Sequence, residues 1–122
     1  KVSDADVLCT AGAAAALFII ATTLLEKGDH LVVVRPNYAT NIETPRAIGC
    51  DIDYVDLSFE AGFQLDVDRL ESLIRPNTKL ISVTTPHNPT GVALSEATLR
   101  RLIARPALRP RAARALTPHI PI

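Results

Sequence analysis

The stretch Thr84-Thr85-Pro86-His87-Asn88-Pro89-Thr90-Gly91 holds the chain's densest chemical information. Two prolines and a glycine within six positions describe a prescribed turn rather than a flexible loop. Asn88-Pro89 is a candidate cis peptide, because bonds preceding proline reach cis at modest cost. A turn fixed in this way aims the Asn88 carboxamide in one direction, as a preorganised hydrogen-bond donor requires. The competing reading is a generic surface turn. His87 reads as a turn histidine hydrogen-bonded to backbone, without a catalytic role.

Two other segments carry possible chemistry. Cys9-Thr10-Ala11-Gly12-Ala13 leads into an apolar helix, and a helix N-terminus offers unpaired N–H groups and partial positive charge to a phosphate. Small residues there let the backbone approach closely, although Gly12 could merely ease a tight turn. Neither GxGxxG nor GxxxxGK[ST] occurs, which removes the main support for dinucleotide and P-loop sites. In Pro36-Asn37-Tyr38, the tyrosine could stack on a planar ring or serve only as packing. His30 reads as solvated at a strand start. Cys9 and Cys50 form no CxxC pair and read as reduced core thiols, which points to the cytoplasm and to no metal site.

The elements that position these segments follow from pattern. Asp6–Cys9 is a short apolar run that predicts a buried strand. Thr10 is placed to cap a helix over Ala13–Leu25, apolar almost all round and hence buried; it is short of the roughly 20 apolar residues of a membrane span. His30–Val34 predicts a strand covered on both faces. Asn41–Ile48 predicts a helix weakened by Pro45, and Ile52–Leu57 another strand. A loop over Ser58–Leu65 precedes a helix whose apolar positions are Val67, Leu70, Leu73 and Ile74, capped by Asp66 or Asp68. Leu80–Val83 predicts a fourth strand, and Ser95 caps a last helix. Alternating strands and helices predict an α/β fold with three layers, a mostly parallel sheet with helices on both faces. Ligands of such sheets bind at the strands' carboxyl ends, here Thr10–Ala13, Arg35–Tyr38 and Thr84–Gly91.

Composition bounds the rest. The chain has 122 residues, 48% apolar and 21% charged, with thirteen basic and thirteen acidic side chains. That balance points to no nucleic acid and no membrane surface as partner. No signal peptide is visible, and the absence of Met with Lys1 at the start suggests a processed chain or a piece of a longer one. The neutral total hides an asymmetry. Lys1–Leu99 has seven basic against thirteen acidic residues, whereas Arg100–Ile122 has six arginines and no acid. Residues 105–122 therefore read as an Arg/Pro/Ala-rich tail, irregular or out of frame, with a genuine basic tail that touches nucleic acid or membrane as the alternative.

The string His87-Asn88-Pro89-Thr90-Gly91 resembles the signature of fold-type I, pyridoxal-5′-phosphate-dependent aminotransferases of class I/II. The order of the Thr10-Ala11-Gly12-Ala13 turn, Gly28-Asp29 before a strand, and Pro36-x-Tyr38 agrees. The resemblance implies that residues 1–104 are part of the large cofactor-binding domain. It further implies that the backbone of Ala11, Gly12 and Ala13 anchors the cofactor phosphate, that Tyr38 stacks on the pyridine ring, and that Asn88 donates to O3′. The implied substrates are an amino acid and a 2-oxo acid, and the parent protein is expected to be a homodimer. Other reactions on the same scaffold, a carbon–sulfur lyase or an amino-acid cyclase, stay open, as does a non-catalytic ligand-sensing module.

The family also needs an Asp beside the pyridine nitrogen with a Tyr closely following, a Lys that bonds the cofactor, and an Arg for the substrate carboxylate. After Glu96 this sequence has no acid, after Lys79 no Lys, and after Tyr54 no Tyr. No catalytic residue is therefore assigned. The chain alone is expected to be inactive and to bind the cofactor weakly and non-covalently at best.

Overall fold

The β-branched run beginning at His30 forms the middle strand of a three-stranded parallel sheet. In the computed structural model, which describes residues 3–104, β1 (His30–Arg35) lies between β2 (Asp51–Asp56) and β3 (Thr78–Ser82). The β1–β2 register is unbroken from His30↔Asp51 to Arg35↔Asp56. The β1–β3 register shifts between His30 and Leu31, then runs from Leu31↔Leu80 to Val33↔Ser82. All three carboxyl ends therefore open on the same side of the sheet.

Four helices cover it: α1 (Ala13–Leu24), α2 (Thr40–Ile48), α3 (Val67–Ser72) and α4 (Glu96–Ile103). Successive residues of β1 point to opposite faces. Leu31 and Val33 pack with Ala21 and Leu25 at the end of α1, Leu80, and Ile42 and Ile48 of α2. Val32 and Val34 pack instead with Val55, Ile81, Leu70 of α3 and Leu102 of α4. The expected three-layer arrangement holds, with one pair of helices on each face. Pro45 lies inside α2 without ending it; its ring is buried and its carbonyl accepts from the Gly49 and Cys50 amides.

Four local expectations fail. Asp6–Cys9 is not a strand: a 3-10 turn spans Asp4–Asp6, and Val7, Leu8 and Cys9 are exposed, with no ladder partner among the described residues. Cys9 is thus no core residue, whereas Cys50 is half-buried, and both thiols are free. The α1 helix is not buried all round. Only the face toward the sheet and α2 is covered, leaving Phe18 54% exposed and Ile19 and Leu24 also open. His30 is not solvated but fully buried. Its Nδ1 lies 2.7 Å from Thr78 Oγ1, and its Nε2 lies 3.3 Å from an Asp53 oxygen, within ion-pair reach but without hydrogen-bond geometry. The register shift at His30 sets Thr78 opposite it. Asp53 is shared with Arg75, which also pairs with Asp51. Residues 105–122, the expected tail, lie outside the described residues.

Asp66, not Asp68, caps α3, its Oδ1 accepting the Arg69 N–H at 2.9 Å. Asp68 pairs instead with Arg101 of α4 from an exposed position. Asp66→Ala is expected to lower stability by about 1 kcal/mol, the usual value of an N-cap. Asp68→Ala should cost less than about 0.5 kcal/mol, as exposed ion pairs do. Urea denaturation of both variants measures the difference, and equal losses would contradict the assignment.

Candidate functional site

At the carboxyl end of β1, Arg35 grips the neighbouring strand. Its Nε and Nη2 donate to the two oxygens of Asp56 at 2.7 and 2.8 Å, and its guanidinium lies 4.0 Å from the Tyr54 ring centroid. The Arg35 donors hold the Asp56 carboxyl below the usual carboxylate range. Beyond it, Asn37 builds the next turn. Its Nδ2 donates to the Val34 carbonyl at 2.9 Å, while its Oδ1 accepts from the Tyr38 N–H and from Asn41 Nδ2, each at 2.7 Å. The Tyr38 backbone is thus pinned at the entrance to α2. Its side chain is 48% exposed, and its hydroxyl has no hydrogen-bond partner among the described residues.

At the carboxyl end of β3, the prescribed turn is realised. The Thr85–Pro86 and Asn88–Pro89 peptides are both cis, as is Arg35–Pro36. Thr85 Oγ1 accepts the Leu94 N–H at 2.9 Å, the His87 N–H donates to the Val92 carbonyl at 2.8 Å, and the Gly91 N–H donates back to the His87 carbonyl. The Asn88 side chain is exposed and makes no hydrogen bond among the described residues. His87 is buried. Its Nδ1 lies 2.8 Å from Thr90 Oγ1, and its Nε2 lies 2.9 Å from the Pro36 carbonyl oxygen. The segments bearing Tyr38 and Asn88 are therefore one hydrogen bond apart.

The start of α1 is the third component. Gly12 has φ +90° and ψ 171°, a region that essentially only glycine occupies, although a Cβ there would meet nothing within 4 Å. Conformation, not space, demands the glycine. Thr10 does not cap the helix as expected: its hydroxyl donates to the Gly12 carbonyl at 3.0 Å. With glycine as N-cap, the amides of Ala13, Ala14 and Ala15 have no acceptor among the described residues, whereas Asp66 and Ser95 cap α3 and α4 by side chain. A cleft between α1, α2 and β3 is bordered by Leu17, Thr40, Asn41 and Ser82, and its lining includes none of Gly12, Tyr38 and Asn88.

Taken separately, these groups are of the kinds that bind a flat, phosphorylated ring. They offer open amides at the positive end of a helix, an exposed aromatic face and an unpartnered carboxamide. Among the described residues no group of three His, Cys, Asp or Glu side chains could hold a metal ion. Comparison with known proteins gives the same direction. The profile of aminotransferase class I and II matches residues 1–108.

The chain belongs to this family.

It is 35% identical over 100 residues to the arginine–pyruvate transaminase AruH of Pseudomonas aeruginosa, covering 81% of this chain and 25% of that protein. It is 31% identical over 105 residues to an aspartate aminotransferase of Sulfurisphaera tokodaii, covering 84% of this chain and 26% of that protein. A PLP-dependent aminotransferase from Streptococcus suis superposes with a TM-score of 0.78 at 30% identity, over 87% of this chain and 28% of that one. The alanine aminotransferase from Pyrococcus furiosus gives 0.77 at 27% identity, over 88% and 27%. The chain spans about a quarter of the length of these aminotransferases.

The residues that sequence reasoning missed are the connectors. Asn37 and Asn41 had a local signal, two asparagines four apart at the entrance to a helix. The Arg35–Asp56 link needed the β1–β2 register, and the second partner of His87 needed the packing of two loops distant in sequence.

Asp56 also sets a pH dependence. Because its carboxyl titrates lower when folded, its contribution is present above the unfolded value of 3.8 and disappears as pH falls through the lower folded value. Both partners are substantially exposed, so the link is worth less than about 1 kcal/mol. Asp56→Asn should be less stable than the wild type at pH 7, with the gap shrinking as pH falls below 3.8. Urea titrations at pH 7 and in stronger acid measure it, and a constant gap would contradict this account.

Proposed function

We propose that this chain carries the pyridoxal 5′-phosphate-recognition part of an aminotransferase that moves an amino group between an amino acid and a 2-oxo acid. The observation that carries the reading is the hydrogen bond from His87 to Pro36, which holds the Tyr38 and Asn88 segments together at the carboxyl edge of the sheet. On the same reading residues 1–104 are part of the large cofactor-binding domain, and the parent protein is a homodimer.

Each component has a definite task. The amides of Ala13, Ala14 and Ala15, presented by the Ala11-Gly12-Ala13 turn, take the phosphate, whose negative charge is favoured at the positive end of α1. Tyr38 covers one face of the pyridine ring and sets its plane. Asn88 donates its side-chain N–H to O3′ and favours the ionised form of that oxygen. When bound, pyridoxal 5′-phosphate supplies an aldehyde and an electron-withdrawing ring that accepts the electron pair left at a substrate α-carbon.

Neither lysine among the described residues is placed to bond the cofactor. Lys79 is the second residue of β3 and faces Asp29 at 3.9 Å, at the amino-terminal edge of the sheet and opposite the site, while Lys27 precedes β1 on that same side. The chain alone should bind the cofactor non-covalently and show no transaminase activity. Asn88→Ala should weaken binding by more than about tenfold, as loss of one charge-assisted hydrogen bond does, and Tyr38→Ala by roughly two- to tenfold, the range of one ring stack. Fluorescence titration with pyridoxal 5′-phosphate, with inorganic phosphate as competitor, measures these effects. Borohydride treatment of the mixture should leave no single lysine stoichiometrically modified. Unchanged affinity in both variants, or one full adduct, would overturn the reading.

A further inference from the structure

His87 has a role that neither its place in the turn nor its neighbours in sequence convey. Inside the turn it bonds Thr90, and outside it reaches Pro36 on the other loop. A carbonyl oxygen can only accept, so Nε2 carries the hydrogen and donates to it. With Nε2 protonated, a neutral ring leaves Nδ1 to accept from the Thr90 hydroxyl. The Thr90 oxygen in turn lies 3.4 Å from the Val92 amide. A single imidazole thus connects the interior of one turn to the backbone of another.

That connection has no duplicate. The β1–β3 ladder ends at Val33↔Ser82, and beyond it the chains part into separate loops. Between residues 36–41 and residues 84–91, the bond from His87 to Pro36 is the one hydrogen bond among the described residues. Asn37, Tyr38 and Asn41 are braced among themselves, and residues 85–94 are braced among themselves. Each loop is internally firm, while their mutual placement rests on one contact. A ligand that needs a ring platform from one loop and a donor from the other tolerates about 0.5 Å of relative displacement.

We propose that His87 is a positioning residue that fixes the distance between the Tyr38 platform and the Asn88 donor through its Nε2–H bond to the Pro36 carbonyl. The inference rests on the proposed function for its consequence on binding, but not for the loop contact itself.

Two substitutions separate the two bonds of the ring. In His87→Gln the side-chain amide extends as many bonds from Cα as Nε2 does and retains the reach to Pro36, but gives up the position of Nδ1. In His87→Asn the amide takes the place of Nδ1, keeps the partner Thr90 and falls short of Pro36. Thr90→Val removes the bond within the turn and leaves the bond between loops. The first readout needs no cofactor: amide hydrogen exchange at Tyr38 and Asn41, with nuclear Overhauser contacts between Pro36 and residue 87, in the labelled 122-residue chain. The second is the affinity for pyridoxal 5′-phosphate. His87→Asn should speed exchange at Tyr38 and Asn41 about tenfold, lose the Pro36 contacts and weaken binding about tenfold. His87→Gln and Thr90→Val should remain within about threefold of the wild type in both readouts.

If Gln and Asn behave alike, or if Thr90→Val matches Asn, His87 serves its own turn only and the proposal falls. Should His87→Asn not fold, preserved contacts and protection in both Gln and Thr90→Val support the proposal, and their loss in Gln overturns it. A wild-type chain that binds no cofactor would defeat the proposed function, and the exchange readout would still decide the role of His87.

Discussion

Parallel pairing on both edges of β1 is the constraint from which the rest of the structure follows. A strand with a neighbour on each side and helices on each face has no polar backbone left for water, so its side chains can be apolar throughout, as Leu31–Val34 are. Parallel neighbours must share a direction, and that direction sends the chain into its loops at the same rim three times. The residues after β1 and β3 therefore leave the sheet at one edge. Connectors then refine this coarse convergence. Arg35 ties the end of β1 to β2, Asn37 ties the next turn to Val34, and His87 ties the turn after β3 back to Pro36.

Much of this was legible in the sequence, because strand and helix signals here are strong and local. The run from His30, the Ser95 cap and the spacing of Val67 and Leu70 all describe elements seen within one or two residues of where they were expected. The layer order followed from strict alternation of strands and helices. The failures have a common origin in what lies across space. Asp6–Cys9 has strand-like residues but no strand beside it. The composition of α1 says that it avoids water, yet only packing decides which side is covered, and here one side is. His30 is polar by type, but the register shift that opposes it with Thr78 gives the ring a partner and so permits burial.

The candidate donors were picked out by residue type, whereas the connectors around them were not. Asn88, Tyr38 and Gly12 stand out because turn chemistry and an open helix end impose residue types on single positions. Arg35 and His87 act through partners 21 and 51 residues away, which spacing does not convey, whereas the partners of Asn37 lie within four residues. Membership in the class I and II aminotransferases accounts for the common order of these segments, while the chain's span of about a quarter of its relatives accounts for how little of a complete enzyme it contains.

The two poles of the sheet are built differently. The cluster of His30, Thr78, Asp53, Asp51 and Arg75 occupies the amino-terminal rim, across the length of the strands from the loops that present Tyr38 and Asn88. Different kinds of contact thus occupy the two ends of the same three strands: buried polar and ionic pairing at one, loop-to-loop bonding through His87 at the other. Exchange of the exposed partners Asp51 and Arg75 leaves the contacts of the far loops unaltered, whereas loss of Thr78 would strand the buried His30 ring without its partner.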